Sequence, residues 1–381
     1  MSEANKTTEA KARYKLNISA ADWRVISLIL GVKLVLFIFA AQAFHVWADQ
    51  PTSGWFGWLE IWKRWDVESY LSIAEFGYSN AESRRHLLNF YPFFPLTVRF
   101  FALVFRNYYL SAMWVSTLAS VAAGLLLRRL VELDYSAEIA ERAVWFLFIF
   151  PTSYFLHAAY TESLFLALVL GCLLEARKDR WANAGMLGAM ACLTRGPGIV
   201  IIPTLCVEAW GQYRATRRLR WAWLGIAIAP LGYLPILRIN VSASGNPFMF
   251  MEVARDKFHV SFGRPLAGVQ QAIGALTHQP GDAEIIGRQV LIFMALALIC
   301  AIAAWFKLRP VLSAWMTFNV LLLASLSFVI SFPRFTLVMF PIYVLFARLA
   351  ENRWWRAMLT VWSLVTLGLF VSMFVRGYWV F

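Results

Sequence analysis

The chain has 381 residues, of which 60% are hydrophobic, 16% aromatic and only 15% charged, and its mean hydropathy is +0.60. That balance excludes a soluble protein and leaves no stretch for a separate soluble domain; it is the composition of an all-α polytopic membrane protein whose solvent is mostly lipid. The formal net charge of +13 lies in short Lys and Arg clusters between apolar runs, where the positive-inside rule expects cytoplasmic turns, so nucleic acid is not an expected partner.

Residues 1–23 read as a cytoplasmic tail, because Lys6, Lys11, Arg13 and Lys15 precede the first apolar run and no short apolar core with a small-residue cleavage site is present. The first span is expected from Val25 to Trp47, which places residues 48–107 outside as a first loop with interfacial helices. The run Phe90 to Arg99 is apolar enough to suggest a crossing, but Pro92, Pro95, Arg99 and Arg106 interrupt it. If it crossed, Arg128, Arg129 and most later basic clusters would fall outside, so it is read as lying along the outer surface.

Further spans are expected at Tyr109 to Leu130, Ala143 to His157, Thr161 to Leu174, Ala182 to Leu193, Gly198 to Trp210 and Trp221 to Leu237, then at Val290 to Phe306, Val311 to Phe332, Phe335 to Leu349 and Met358 to Phe374. The total is about 11 in one integral-membrane domain covering 1–381, with several spans shorter than a full bilayer crossing. On this assignment nearly every cytoplasmic turn is basic, residues 238–289 form a large outer loop, and the C-terminus ends outside. The large loop mixes Arg255, Lys257, His259 and Arg264 with aromatic rings, a chemistry suited to an anionic head group or to a lid. The four cysteines, Cys172, Cys192, Cys206 and Cys300, lie inside apolar runs without paired spacing, which argues against a disulfide framework or a zinc site and reads as packing.

The chemically interesting turns all fall on the outer side. Asp66, between Arg64-Trp65 and Glu68, can stay ionised and accept a proton from a hydroxyl, as a general base must; the bland reading is a solvated interfacial loop anchored by tryptophans. Glu68 could assist or merely orient the loop. Glu162, Arg195 and Arg334 stand at the outer edges of spans, where ionisable groups cost several kcal/mol without partners or a wet cavity, so a polar outward cavity or a structural ion pair is expected there. No glycine-rich phosphate loop, His/Cys cluster or Asp-x-Asp pair is present, which weakens nucleotide-sugar and metal-dependent readings.

Several pieces taken together resemble the GPI mannosyltransferase 2 (PIG-V) family and its shorter bacterial relatives, within the GT-C class of membrane glycosyltransferases. They are Arg64-Trp65-Asp66, Tyr70-Leu71-Ser72-Ile73-Ala74, Gly77-Tyr78, Phe90-Tyr91-Pro92-Phe93-Phe94-Pro95-Leu96, Tyr160-Thr161-Glu162-Ser163-Leu164-Phe165, Leu193-Thr194-Arg195, Gly245-Asn246-Pro247, Pro333-Arg334-Phe335 and Gly377-Tyr378-Trp379. Each is weak alone; their common order is the signal. The chain departs in carrying Phe335 where a tyrosine often follows the arginine, and it is short for a eukaryotic member, so a GPI acceptor is not carried over.

The resemblance implies a GT-C-like bundle with an outward site, and inverting transfer of a sugar, mannose by expectation, from a polyprenyl-phosphate carrier to a lipid, glycan or protein acceptor. It implies Asp66 as the base; Glu68 and Glu162 are candidate assisting acids. A departing lipid phosphate needs cations, and Arg195, Arg334, Arg264, Arg64 and His86 are available. Trp65, Tyr91 and Tyr160 are candidates for the substrate groove, although most outer-surface rings belong to an interfacial belt. No cofactor or metal is required by this scheme, and a bacterial plasma membrane is expected rather than endoplasmic reticulum. The alternatives are a transporter or flippase of lipid-linked sugars, or a non-catalytic membrane subunit; the first is disfavoured by the lack of an internal repeat.

Overall fold

The computed structural model describes residues 19–48, 56–79, 81–264, 266–278, 282–327 and 330–380. Most of the expected tail, residues 1–18, lies outside the described residues. The described chain is helical, and its single extended pairing is an isolated antiparallel bridge between Phe262 and Leu326.

Among the described residues five helices are long and apolar enough to cross a membrane: Ala20–Trp47, Tyr108–Val131, Trp221–Ser244, Glu284–Lys307 and Arg353–Val375. A sixth is reached if Glu82–Asn89 and Phe93–Phe105, bent by 106° at their junction, are counted as one broken span. The other expected spans are short helices. Ala137–Ile149 has 13 residues, Glu162–Arg177 has 16 and Trp181–Thr194 has 14. Ile201–Thr216 has 16, Pro310–Ala324 has 15 and Pro341–Leu349 has 9.

The expected boundaries differ for local reasons. The first helix starts at Ala20, earlier than expected, because Ser19 and Asp22 cap each other's backbone and side-chain groups at its entry. The span expected at Ala143 to His157 stops at Ile149, before Pro151, which lacks the N–H a helix interior needs. The one expected at Val311 to Phe332 ends at Ala324, and the next divides into Phe332–Thr336 and Pro341–Leu349, each with a proline in its first turn. The segment expected from Trp221 begins as a 3₁₀ helix, Trp221–Tyr233, and continues as Leu234–Ser244. The large outer loop is mostly helix: Leu234–Ser244 runs into it, Met249–Phe258 and Ala267–His278 lie within it, and Asp282–Lys307 begins inside it.

The long helices sheathe the short ones. Leu34, Val35, Leu298, Ile299, Ile302, Val361 and Val365 are exposed large hydrophobics on the long helices, a surface that suits lipid and not water. Helices Ala137–Ile149, Glu162–Arg177 and Pro341–Leu349 are buried almost all round, and Glu162–Arg177 packs on both Tyr108–Val131 and Trp181–Thr194. Helix Trp181–Thr194 meets the 3₁₀ segment backbone to backbone: a Cβ on Gly185 would stand 2.0 Å from the Gly225 carbonyl oxygen, and one on Gly232 would stand 2.0 Å from that of Ala189. Small residues therefore set this approach, as in membrane helix pairs generally.

Helix Glu162–Arg177 also gives the molecule its two ends. Its 16 residues span about 24 Å, from Glu162 at one end to Arg177 at the other. The Arg177 end gathers Arg177 with Asp134, Arg309 with Asp134 and Glu208, and Arg128 with Asp22 and Glu132. The positive-inside rule expects that end on the cytoplasmic side and the Glu162 end on the outer side.

Candidate functional site

Two breaks in the helical packing build the candidate site at the Glu162 end. The first is the segment from Phe150 to Thr161, which holds only a single turn at Tyr154–His157. Irregular backbone at membrane depth must have its polar groups satisfied by protein. Here the carbonyls of Tyr160, Leu156 and His157 accept hydrogen bonds from Ser116, Ser120 and the Lys33 ammonium. Lys33 also donates to Thr117, and its charge lies 5.3 Å from the Phe37 ring centre. The second break carries Arg334 on the short helix Phe332–Thr336. Thr152 joins the two by donating to the Pro333 carbonyl at 3.2 Å.

The breaks bring four charged side chains into one row. Arg334 Nη1 donates to Asp66 Oδ2 at 2.6 Å, Arg334 Nε donates to Glu162 Oε1, and Arg195 Nη1 donates to the same Glu162 oxygen. Arg195 also donates to Thr161 Oγ1 at 3.0 Å. Two carboxylates and two guanidiniums thus neutralise each other in the order Asp66, Arg334, Glu162, Arg195. The Glu162 side chain is fully buried, whereas that of Asp66 keeps 29% of its surface open. The row has a closed middle and an accessible carboxylate at one end. Aromatic faces flank Arg334, with its guanidinium carbon 4.7 Å from the Tyr160 ring centre and 4.9 Å from that of Phe155, which favours a cation there.

Asp66 is aimed by its local backbone. It is the first residue of helix Asp66–Phe76, and the residue before it, Trp65, turns the chain at φ 53° and ψ −118°. Positive φ is uncommon for a bulky side chain and costs of order 1–3 kcal/mol. The Trp65 ring stands edge-on to Trp379 at 4.8 Å, and the Tyr160 hydroxyl donates to the Arg64 carbonyl at 2.8 Å. Both contacts hold the turn. One helical turn beyond Asp66, Tyr70 packs against Phe90 and Phe94. Burial, reinforced by the Asp66 charge, pushes the Tyr70 hydroxyl up to about 12, so it stays protonated and able to donate.

The remaining sequence-predicted residues sit elsewhere. The Arg64 guanidinium donates to the carbonyls of Ile61 and Val375, each at 3.1 Å from Nε; it clamps the end of helix Arg353–Val375 rather than the charged row. Glu68 pairs with Lys63 at 3.6 Å on an exposed surface. Arg264 is exposed on the loop that Gly263 ties to Ser325, and His86 lies on the 3₁₀ segment Glu82–Asn89. Neither bonds to the four-charge row among the described residues. Tyr91 packs near Tyr233 and Phe250 and lies beside Gly196, next to Arg195. Sequence reasoning missed Lys33, Ser116, Thr117, Ser120 and Thr152; polar residues in apolar runs were the available signal. Among the described residues no three His, Cys, Asp or Glu side chains converge as metal ligands would.

Comparison with known proteins bears on the same region. The family described as Mannosyltransferase (PIG-V) matches residues 41–228. The mouse GPI alpha-1,6-mannosyltransferase 2 is 31% identical over 164 residues, covering 40% of this chain and 32% of its own length. The Yarrowia lipolytica GPI mannosyltransferase 2 is 34% identical over 91 residues, covering 24% of this chain and 26% of its own. The matched part thus spans about a third or less of those curated relatives. Among solved structures, the archaeal oligosaccharyltransferase AglB from Archaeoglobus fulgidus, in complex with an inhibitory peptide and a dolichol-phosphate, covers 90% of this chain and 56% of its own at 12% identity and TM-score 0.49; a likeness at that level carries no argument. Residues 41–228 include Asp66, Glu162 and Arg195, and over that stretch the chain is similar to the PIG-V mannosyltransferases.

Proposed function

We propose that the protein is an inverting glycosyltransferase that moves mannose from a polyprenyl-phosphate carrier to an acceptor hydroxyl on the outer face of its membrane. The observation that carries this reading is the neutral row Asp66, Arg334, Glu162, Arg195, closed in the middle and open at Asp66.

Each part of the row has work to do in that reaction. Asp66 takes the proton as the acceptor oxygen attacks the first carbon of the sugar, and the bond from that carbon to the phosphate oxygen breaks on the opposite face. The departing lipid phosphate gains negative charge. Arg195 and Arg334 meet it as fixed cations in a water-poor setting, where such groups act more strongly than in bulk water. Glu162 does not serve as a second base: its carboxylate is committed to both guanidiniums and orients them. A lipid monophosphate brings less charge than a nucleotide diphosphate, which two arginines are suited to balance.

The test is donor turnover by purified protein in nanodiscs, with labelled polyprenyl-phosphate-mannose, acceptor extracts, and chelator present or absent. Labelled product with release of the lipid phosphate supports the reading. Movement of intact donor across the bilayer without cleavage would replace it with that of a flippase.

A further inference from the structure

The charged row leaves the Tyr70 hydroxyl beside it unaccounted for. Tyr70 is only 7% exposed as a residue, and its hydroxyl, which is not sealed from the surface, makes no hydrogen bond to a protein group among the described residues. Its surroundings are specific. It lies one turn from Asp66 on the same helix face, and it interacts electrostatically with all four members of the row: Asp66, Arg334, Arg195 and Glu162. The ring is fixed edge-on between Phe90 and Phe94, with centroids 5.2 and 5.4 Å away, so that packing sets the direction of the hydroxyl.

Resting on the reading above, we propose that Tyr70 is a substrate-contacting residue that donates its hydroxyl hydrogen to a hydroxyl of the transferred sugar. The charges of the row already cancel, and its two guanidiniums suit a phosphate. A neutral donor adjacent to Asp66 suits instead a neutral, directional partner close to the atom that reacts, and a sugar hydroxyl has that chemistry. Asp66 and Tyr70 then bracket the sugar from successive helical turns, so helix Asp66–Phe76 supplies both the proton acceptor and a determinant of which sugar is carried. A hydroxyl that stays protonated over the whole working pH range fits this role.

Tyr70→Phe removes one oxygen and keeps the ring between Phe90 and Phe94, so the fold is retained. Affinity is measured for two probes, polyprenyl-phosphate-mannose and sugar-free polyprenyl phosphate, on wild type and variant in nanodiscs. Loss of a neutral hydrogen bond predicts that the variant binds the mannose-bearing probe about five- to tenfold more weakly and the sugar-free probe within about twofold of wild type. Equal weakening of both probes, or of neither, would overturn the role of Tyr70 while leaving the donor class intact. Failure of wild type to bind either probe would remove the donor class and this proposal with it.

Discussion

Arg334 reaches across 268 residues of chain to place its Nη1 at 2.6 Å from Asp66 Oδ2, while its Nε is bonded to Glu162. One guanidinium thus connects the start of helix Asp66–Phe76 to the buried start of helix Glu162–Arg177.

Glu162→Gln leaves two guanidiniums with an uncompensated charge at a fully buried position. Removing one partner of a buried ion pair costs about 3–5 kcal/mol, so a clear fall in thermal midpoint is expected in nanodisc melts. Asp66→Asn, at the half-open end of the row, is expected to lower the midpoint much less. Equal effects would contradict the closed-middle arrangement.

Arg195→Gln keeps the Asp66 to Arg334 bond but removes one of the two cations assigned to the phosphate. A charge-assisted hydrogen bond contributes about 1.5–3 kcal/mol, so affinity for polyprenyl phosphate is expected to fall about 10- to 100-fold. Isothermal titration in nanodiscs checks this, and an unchanged affinity would move the phosphate elsewhere.

Arg64→Lys replaces a forked group by a point charge where the fork holds the Ile61 and Val375 carbonyls. Faster amide exchange is expected at Arg376 to Val380 and at the Trp65 turn that packs on Trp379. Exchange confined to other regions would contradict a clamp.

Gly232→Ala sets a methyl group 2.0 Å from the Ala189 carbonyl oxygen, whereas a Cβ on Gly31 has nothing within 4 Å. Gly232→Ala is expected to abolish or strongly reduce folded yield, and Gly31→Ala to leave it unchanged, by size-exclusion profile after extraction.

Much of this arrangement was legible from residue chemistry. Asp66, Glu162, Arg195 and Arg334 stand out because charges at the edges of apolar runs are costly without a reason, and all four meet in one row. Their pairing was not legible, since Arg334 is brought to Asp66 by two irregular segments that periodicity cannot place. Glu162 read as an assisting acid, and its sequence neighbours gave no sign that its carboxylate bonds to both Arg195 and Arg334. Arg64 and His86 shared the basic character of Arg195 without sharing its position, because a sequence shows charge and not direction. Helix ends failed most where prolines cut apolar runs, at Pro151, Pro333 and Pro341; hydropathy registers the run and not the break.

The measurement that bears most directly on the account is the rate of mannose transfer by Asp66→Asn beside wild type, with polyprenyl phosphate affinity recorded on the same preparations. The substitution preserves shape and removes the proton acceptor. The account predicts a fall in kcat of about 10²- to 10⁴-fold with donor affinity changed by less than about tenfold. Wild-type transfer by a folded, donor-binding Asp66→Asn protein would contradict it.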